Sequence, residues 1–517
     1  MRGAPCAALK KVRSPMRRFV RYFSALLAIG VVFTSVSLVV NALPTQGIGT
    51  WASNGALPGL PSGAATVTLA DDRALVIGGM LSDGTTTRAI SVYDAHANAV
   101  VQVGELTSAR SGHAAVLLPD GRVLVVGGGV NDAASAEIEL FDPSTGVSAI
   151  VASLAQARAR HAAALLPDGR VLIVGGVNSE GIPLAGAEVF DLAGTTTPIA
   201  SHMSTARAGL TATTLLDGQV LVAGGNDGTN DLASAEIYNA SSQTFFPATT
   251  ALSVARSGHA AVLLPHNGGV LIAGGSSDDI VQHATDLFLP PIFPDPYSYG
   301  MGMFVTTGDL VEARVGAAAG GAGVDGYAVA AGGVAASAEL YRFATVRTDK
   351  DDYAPGEPAL ITGTGWLPNS TVTLLFQEDP AVHEDYAIKV GTDGDGNFSK
   401  ADWAPERHDA GVRFYLTVSD ARSLAQTTFT DALQTNVVLT SNPNPSASGQ
   451  TVTLTATVRE GNVAGAGALV SDIGSVNFRS GGNNCGQGTS IATVATVSGV
   501  ATTTTTFSSL RHCSRVL

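Results

Sequence analysis

Cysteine is nearly absent from this 517-residue chain: Cys6, Cys485 and Cys513 are the only three. Thiol catalysis and cysteine-ligated metal sites are therefore excluded over most of its length. Lysine is missing from residues 43–345, which removes Schiff-base chemistry there. Charged residues make up only 14% against 45% hydrophobic ones, so the chain can build sizeable cores and gross disorder is excluded. Acidic residues are lacking before residue 43, while Arg2, Lys10, Lys11, Arg13, Arg17, Arg18 and Arg21 stand ahead of the apolar run "FSALLAIGVVFTSVSLVV", Phe23 to Val40. A basic region, an apolar stretch and "VNA" at Val40–Ala42 predict a secretory signal cleaved near Ala42 or an uncleaved membrane anchor over 1–42, and either predicts export. Without those seven positive charges the formal net charge of −14 becomes −21. Such a surface repels phosphate backbones and excludes a nucleic-acid partner.

What the chain does have is repetition. "ARSGHAAVLLPDGRVLVVGG" at Ala109–Gly128 returns as "ARARHAAALLPDGRVLIVGG" and again as "ARSGHAAVLLPHNGGVLIAGG". Diglycines fall at Gly78-Gly79, Gly127-Gly128, Gly175-Gly176, Gly224-Gly225, Gly274-Gly275 and Gly332-Gly333, spaced by 49, 48, 49, 50 and 58 residues. The long last interval contains "PPIFPDPYSYGMGM", Pro290 to Met303, which predicts a protruding loop. Within each repeat an apolar strand meets a "PDGR"-type hairpin turn, and a second strand ends in the diglycine. A variable loop, a third strand ("AEIELFD", "AEVFD", "AEIYN", "AELYR") and a weaker fourth follow. Four antiparallel strands in about 50 residues make one blade of a β-propeller.

Apolar residues before Gly-Gly, an aromatic on the third strand and this period resemble kelch repeats of the kind common in bacterial exported proteins, over about residues 47–345. The resemblance implies a six-bladed β-propeller spanning 43–345. Because "GIGTWASNGAL" falls where other repeats have a fourth strand, Gly47–Leu57 is expected to complete the sixth blade. The kelch family spans adhesion, scaffolding and oxidase chemistry, so the resemblance implies little about function.

Five repeats share an arginine, at Arg110, Arg158, Arg207, Arg256 and Arg314, and an acid on the third strand, at Glu139, Glu188, Glu236, Asp286 and Glu339. The first repeat has Pro61 and Ser91 in their places and so lacks both. Joint absence predicts five ion pairs within single blades, each arginine lying across a second strand left bare by glycine, with a ligand-binding role for the arginines as the alternative. His113, His161 and His259 follow their arginines by three residues. They are expected to line the mouth of the central channel, with a metal held by three imidazoles as the alternative. Kelch-like propellers also occur in copper-radical oxidases resembling galactose oxidase, but those need a tyrosine crosslinked to cysteine and this region has none. No nucleophile–base–acid constellation stands out. The sequence therefore predicts no enzyme, no catalytic, cofactor-binding or metal residues, and no cofactor.

At "TVRTDKDDYAPGEPALITGTGW" the repeats stop and strand alternation takes over. Residues 346–432 resemble a bacterial immunoglobulin-like β-sandwich, and 433–517 a second one that ends short of its last strand. In the first, "DGDGNFS" places Asp393, Asp395 and Asn397 at alternating positions as calcium loops do. Phe398 stands where such a loop needs glycine, which favours a hairpin turn. In an exported protein Cys485 and Cys513 can pair or stay free, and the sequence leaves both open. The whole is expected to be all-β, a six-bladed β-propeller followed by two Ig-like β-sandwich domains, the last incomplete. The expected function is a non-catalytic, monomeric, secreted or cell-surface adhesion protein. Its propeller loops would bind an extracellular glycan or protein, with the Ig-like modules as spacers, and its sole membrane contact would be the possible anchor. The alternative is a carbohydrate-active enzyme or copper oxidase on the same scaffold.

Overall fold

A computed structural model describes residues 49–506, except 57–59, 70–72, 95–98, 291–301, 323–324, 355, 380, 382, 407–411, 432–434, 443–450, 461–474, 481–488 and 496–499. The N-terminal 1–42 segment, most of the Pro290–Met303 insertion, Cys485 and Cys513 lie outside the described residues. Among the described residues no helix is long and apolar enough to cross a membrane.

The chain is all-β, built largely from small four-stranded antiparallel sheets. Sheet one comprises Ala65–Thr68, Ala74–Ile77, Ala89–Asp94 and Ala99–Glu105; sheet two Ala114–Leu117, Val123–Val126, Ser135–Asp142 and Val147–Arg158. Sheet three has Ala162–Leu165, Val171–Val174, Ala187–Asp191 and Thr195–Pro198; sheet four Thr211–Thr214, Val220–Ala223, Ala235–Asn239 and Thr244–Pro247. Sheet five has Ala260–Leu263, Val270–Ala273, Thr285–Leu289 and Met303–Thr306. Sheet six takes Ala318–Gly321, Tyr327–Ala331 and Ser337–Arg342 from its own repeat and its outer strand, Thr50–Ala56, from the other end of the chain. Thr50 pairs with Arg342 and Ala56 with Ser337, and Trp51 packs on Tyr341 with ring centroids 5.2 Å apart.

Second strands such as Val123–Val126 and Val171–Val174 are buried throughout, because each is covered on both faces by the neighbouring sheets. The hydrophobic clusters accordingly straddle adjacent sheets rather than sitting within one. First strands touch in cyclic order, sheet one against two, two against three, and so on until sheet six meets sheet one.

Residues 345–431 form two packed sheets. One holds Thr345–Thr348, Ala359–Thr364 and Phe398–Trp403; the other holds Asp352–Tyr353, Leu424–Asp431, Arg413–Ser419, Thr371–Asp379 and Tyr386–Gly391. Alternation along Thr371–Asp379 sends Val372, Leu374 and Phe376 into a core where Phe376 stacks on Trp403 and Phe414 on Phe429. Beyond these lie a three-stranded sheet of Thr435–Asn442, Thr451–Glu460 and Val500–Thr506, and a pair, Ser475–Ser480 with Thr489–Ala495.

The first C-terminal unit is fastened to the repeats. The hairpin turn of sheet five reads "PHNGG" instead of "PDGR", with His266 at φ 56. Asn267 from that turn is buried, and its Nδ2 donates to the carbonyls of Ala344 (2.8 Å) and Leu424 (2.9 Å). The Gln426 N–H donates back to the Asn267 carbonyl at 2.7 Å. Leu424 joins Leu264, Leu271, Tyr341 and Phe343 in one cluster, so the two regions share a core at the hairpin-turn face of the sheets.

Candidate functional site

The five arginines and five acids form the pairs that their joint absence from the first repeat predicts. Arg110 Nη2 lies 3.0 Å from Glu139, Arg158 3.0 Å from Glu188, Arg207 2.9 Å from Glu236, Arg256 2.9 Å from Asp286 and Arg314 2.9 Å from Glu339. All ten side chains are buried. Each Nη1 also donates to the first glycine of its own diglycine, for example Arg158 to the Gly175 carbonyl at 2.9 Å and Arg207 to the Gly224 carbonyl at 3.0 Å. The acids meanwhile accept backbone N–H groups from the segment that enters the sheet: Thr107 on Glu139, Ala155 on Glu188, Ser204 on Glu236, Ser253 on Asp286 and Val311 on Glu339. Burial draws the Arg207 and Arg256 guanidinia below their ordinary values and lifts the Asp286 carboxyl, each against the pull of its partner. Through these backbone bonds the pairs anchor the crossing from one sheet to the next.

The diglycines, across which the arginines lie as expected, have a second role. Both glycines adopt positive φ, 55° and 98° at Gly78-Gly79. The space a Cβ would fill at Gly78 is taken by the following sheet, 2.6 Å from the Arg110 carbonyl and 2.8 Å from the His113 ring. The second glycine donates its N–H to that sheet as well: Gly79 to Arg110, Gly128 to Arg158, Gly176 to Arg207, Gly225 to Arg256 and Gly275 to Arg314. Diglycine is the seam between sheets, and only glycine combines that backbone with that proximity.

His113, His161 and His259 occupy those seams, correcting the expectation that they line a channel. Their rings stand over Gly78, Gly127 and Gly224, where Leu210 stands over Gly175. Each lies in a separate seam, so they do not converge on a metal, and among the described residues no three His, Cys, Asp or Glu side chains gather as a metal-holding set. Burial, with the neighbouring arginine adding to it, pushes all three imidazoles down to about 3. They are neutral packing groups.

The "DGDGNFS" loop is a turn. Asp393 accepts N–H groups from Asp395 (2.9 Å) and Asn397 (2.8 Å), the local bonding that fixes an Asx turn. It borders a cleft of about 310 Å³ between sheet six and the first C-terminal unit, lined by Arg342, Phe343, Trp366, Pro368, Asp395 and Arg422 among others.

The strongest candidate for function lies at the opposite end of the sheets. Two residues after each repeat's arginine position, and two before its first strand, the six repeats meet. Gly63 donates its N–H to Gly316, Gly316 to Gly258, Gly258 to Gly209, Gly209 to Arg160 and Arg160 to Gly112, at 2.6–3.0 Å. All six residues have φ between 53° and 65°. Five are glycine. Arg160 alone is not, and holding a non-glycine residue there costs of order 1–3 kcal/mol. Its side chain is exposed, and its Nη2 lies 3.2 Å from where a Cβ on Gly209 would stand, so the guanidinium folds across the neighbouring ring residue. Among the described residues no ion pair or side-chain hydrogen bond engages it. Sequence reasoning passed over Arg160, although "ARARHAA" against "ARSGHAA" carried the signal: arginine where its sister repeats have glycine.

Loops that follow the diglycines surround this ring. Bridges Ser62–Met80, Ser111–Gly129, Ala159–Val177, Ala208–Asn226 and Ser257–Ser276 tie each loop to the residue beside its ring position. Because strands one and two are antiparallel, this face is remote from the hairpin turns on which the C-terminal unit docks, and among the described residues no other element covers it.

No protein-family model matches the chain, and no curated protein matches it. Among solved structures, one similar to it is a fungal alcohol oxidase of the AA5 family in complex with copper, 16% identical, with a TM-score of 0.44, covering 75% of this chain and 100% of that one. That match corrects the expectation that the chain is not an enzyme, since the matched structure is one. At this identity and score it assigns no activity, cofactor or residue here.

Proposed function

We propose that residues 43–345 are a six-bladed kelch-type β-propeller and that 346–432 and 433–517 are bacterial Ig-like modules. The protein is exported, held at the cell surface or secreted, and binds an extracellular glycan or protein through the loops that follow its diglycines. The observation that carries this reading is the ring of six repeats with one face occupied by the first C-terminal unit and the other uncovered among the described residues. Cyclic contact of the first strands, and the outer strand of sheet six coming from the far end of the repeats, support the propeller. A scaffold whose short strands are fixed by buried ion pairs leaves its loops free to vary, which is where binding residues concentrate.

The test is binding of the full-length exported protein to a glycan array and to an array of extracellular proteins. Replacing loop residues 177–186 by a Gly-Ser linker should lower binding at least tenfold, while Arg422→Ala in the cleft should leave it unchanged. Binding that follows the cleft variant instead, or none on either array, overturns the proposal.

A further inference from the structure

The open face is unusual in two respects besides its central arginine. Met80, Leu81, Val130, Ile182, Ile280 and Val334 are exposed on the loops that ring Arg160, and they come from five of the six repeats. Val130, Ile182, Ile280 and Val334 are each more than half exposed. The same loops bear exposed acids, Asp83, Glu180, Asp278 and Asp279. A crown of aliphatic side chains around an unpaired guanidinium has the anatomy of a protein interface, in which apolar contacts exclude water around a central arginine anchor. Glycans favour aromatic platforms, and the crown has none.

From this we infer that the open face binds a protein through Arg160. The partner presents one carboxylate, an Asp or Glu side chain or a free C-terminus, set among apolar residues and flanked by basic ones. The carboxylate meets the guanidinium in a bidentate pair. Its apolar neighbours cover the crown, and its basic flank meets the acidic rim. Polyanions are excluded by the acids of the rim and by the net charge of −14. The backbone supplies the argument for selection of function over stability: five repeats have the unstrained glycine and one holds an arginine in the same left-handed conformation. This inference rests on the reading of that face as the binding face and adds to it the class of partner.

The experiment selects a displayed random-peptide library, with free C-termini in one arm and blocked ones in the other, against the full-length protein. Enriched peptides should carry one acid, or in the first arm the terminal carboxylate alone, among apolar residues with Lys or Arg at the flanks. Arg160→Gly and Arg160→Gln should each weaken these peptides at least tenfold, and Ile182→Asp at least fivefold. Arg160→Gly should at the same time raise Tm, because it removes the strained residue; a merely structural arginine would lower it. Enrichment without acids, affinity indifferent to Arg160, or no enrichment overturns the inference. Glycan-array binding that depends on loop 177–186 and ignores Arg160→Gly would overturn it while leaving the proposed function standing.

Discussion

Sheet one and the other five sheets reach the same four-stranded form by different means. Sheets two to six each have an arginine bonded to an acid and to the first glycine of the diglycine, with the second glycine of the preceding sheet donating to that arginine's carbonyl. Sheet one has Pro61 and Ser91 instead, and proline brings neither side-chain donor nor N–H. Its boundary with sheet six is where the two ends of the repeat region meet, and there the strand Thr50–Ala56 holds the ring closed from the outside. A seam can thus be secured by a buried polar network or by strand exchange, and the molecule places the second device where the first is missing.

Deleting Thr50–Ala56 should break that comparison most severely. It removes the outer strand of sheet six together with the Trp51–Tyr341 contact, and circular dichroism should show loss of cooperative melting. A melting curve like that of the intact protein would mean that the sixth seam needs no closure. Next in size is the ion pair. Arg207→Met or Glu236→Gln alone should cost roughly 3–5 kcal/mol by stranding a buried charge or its network, whereas Arg207→Met with Glu236→Leu should cost clearly less than the sum. Chemical denaturation measures both, and additive losses would show that the two residues act independently. Transplanting the pair sharpens the comparison: Ser91→Glu alone should destabilise sheet one, and adding Pro61→Arg should restore most of the loss.

Acid should act through the seams that contain imidazoles and spare those that do not. Folded His113, His161 and His259 sit near 3 and unfolded histidine near 6.5, so below pH 6.5 the unfolded chain takes up protons that the folded one refuses. Their contribution is complete above that pH and is lost as pH falls, by about 2 kcal/mol for each imidazole at pH 5. Leu210 shows that leucine fits the site, so His161→Leu should flatten the dependence of Tm between pH 7 and 5 by that share. An unchanged slope would place protonation elsewhere. The smallest effects belong to the turn at Asp393. Asp393→Ala should cost about 1 kcal/mol through its lost bonds to Asp395 and Asn397, and millimolar calcium should shift Tm of neither protein. A calcium-dependent rise that disappears in the variant would make the loop a cation site.

The sequence by itself determined the repeating unit, the strand order within it and the pairing of arginine with acid. Those depend on residues that the hairpin register brings opposite one another, so spacing alone reveals them, and the absence of both partners from one repeat works as an internal control. Spacing could not reveal what crosses from one sheet to the next. Diglycine was legible as a bare strand end, but that its bare side receives the following sheet's carbonyl and imidazole follows only once six sheets are arranged in a circle. The same holds for Asn267, whose departure from the "PDGR" pattern gains meaning when Ala344 and Leu424 come within reach of its amide. Arg160 stands between the two cases. Its substitution for glycine is written in the sequence, but its place at the meeting point of the repeats was decided by tertiary structure, because a ring has a centre and a chain does not.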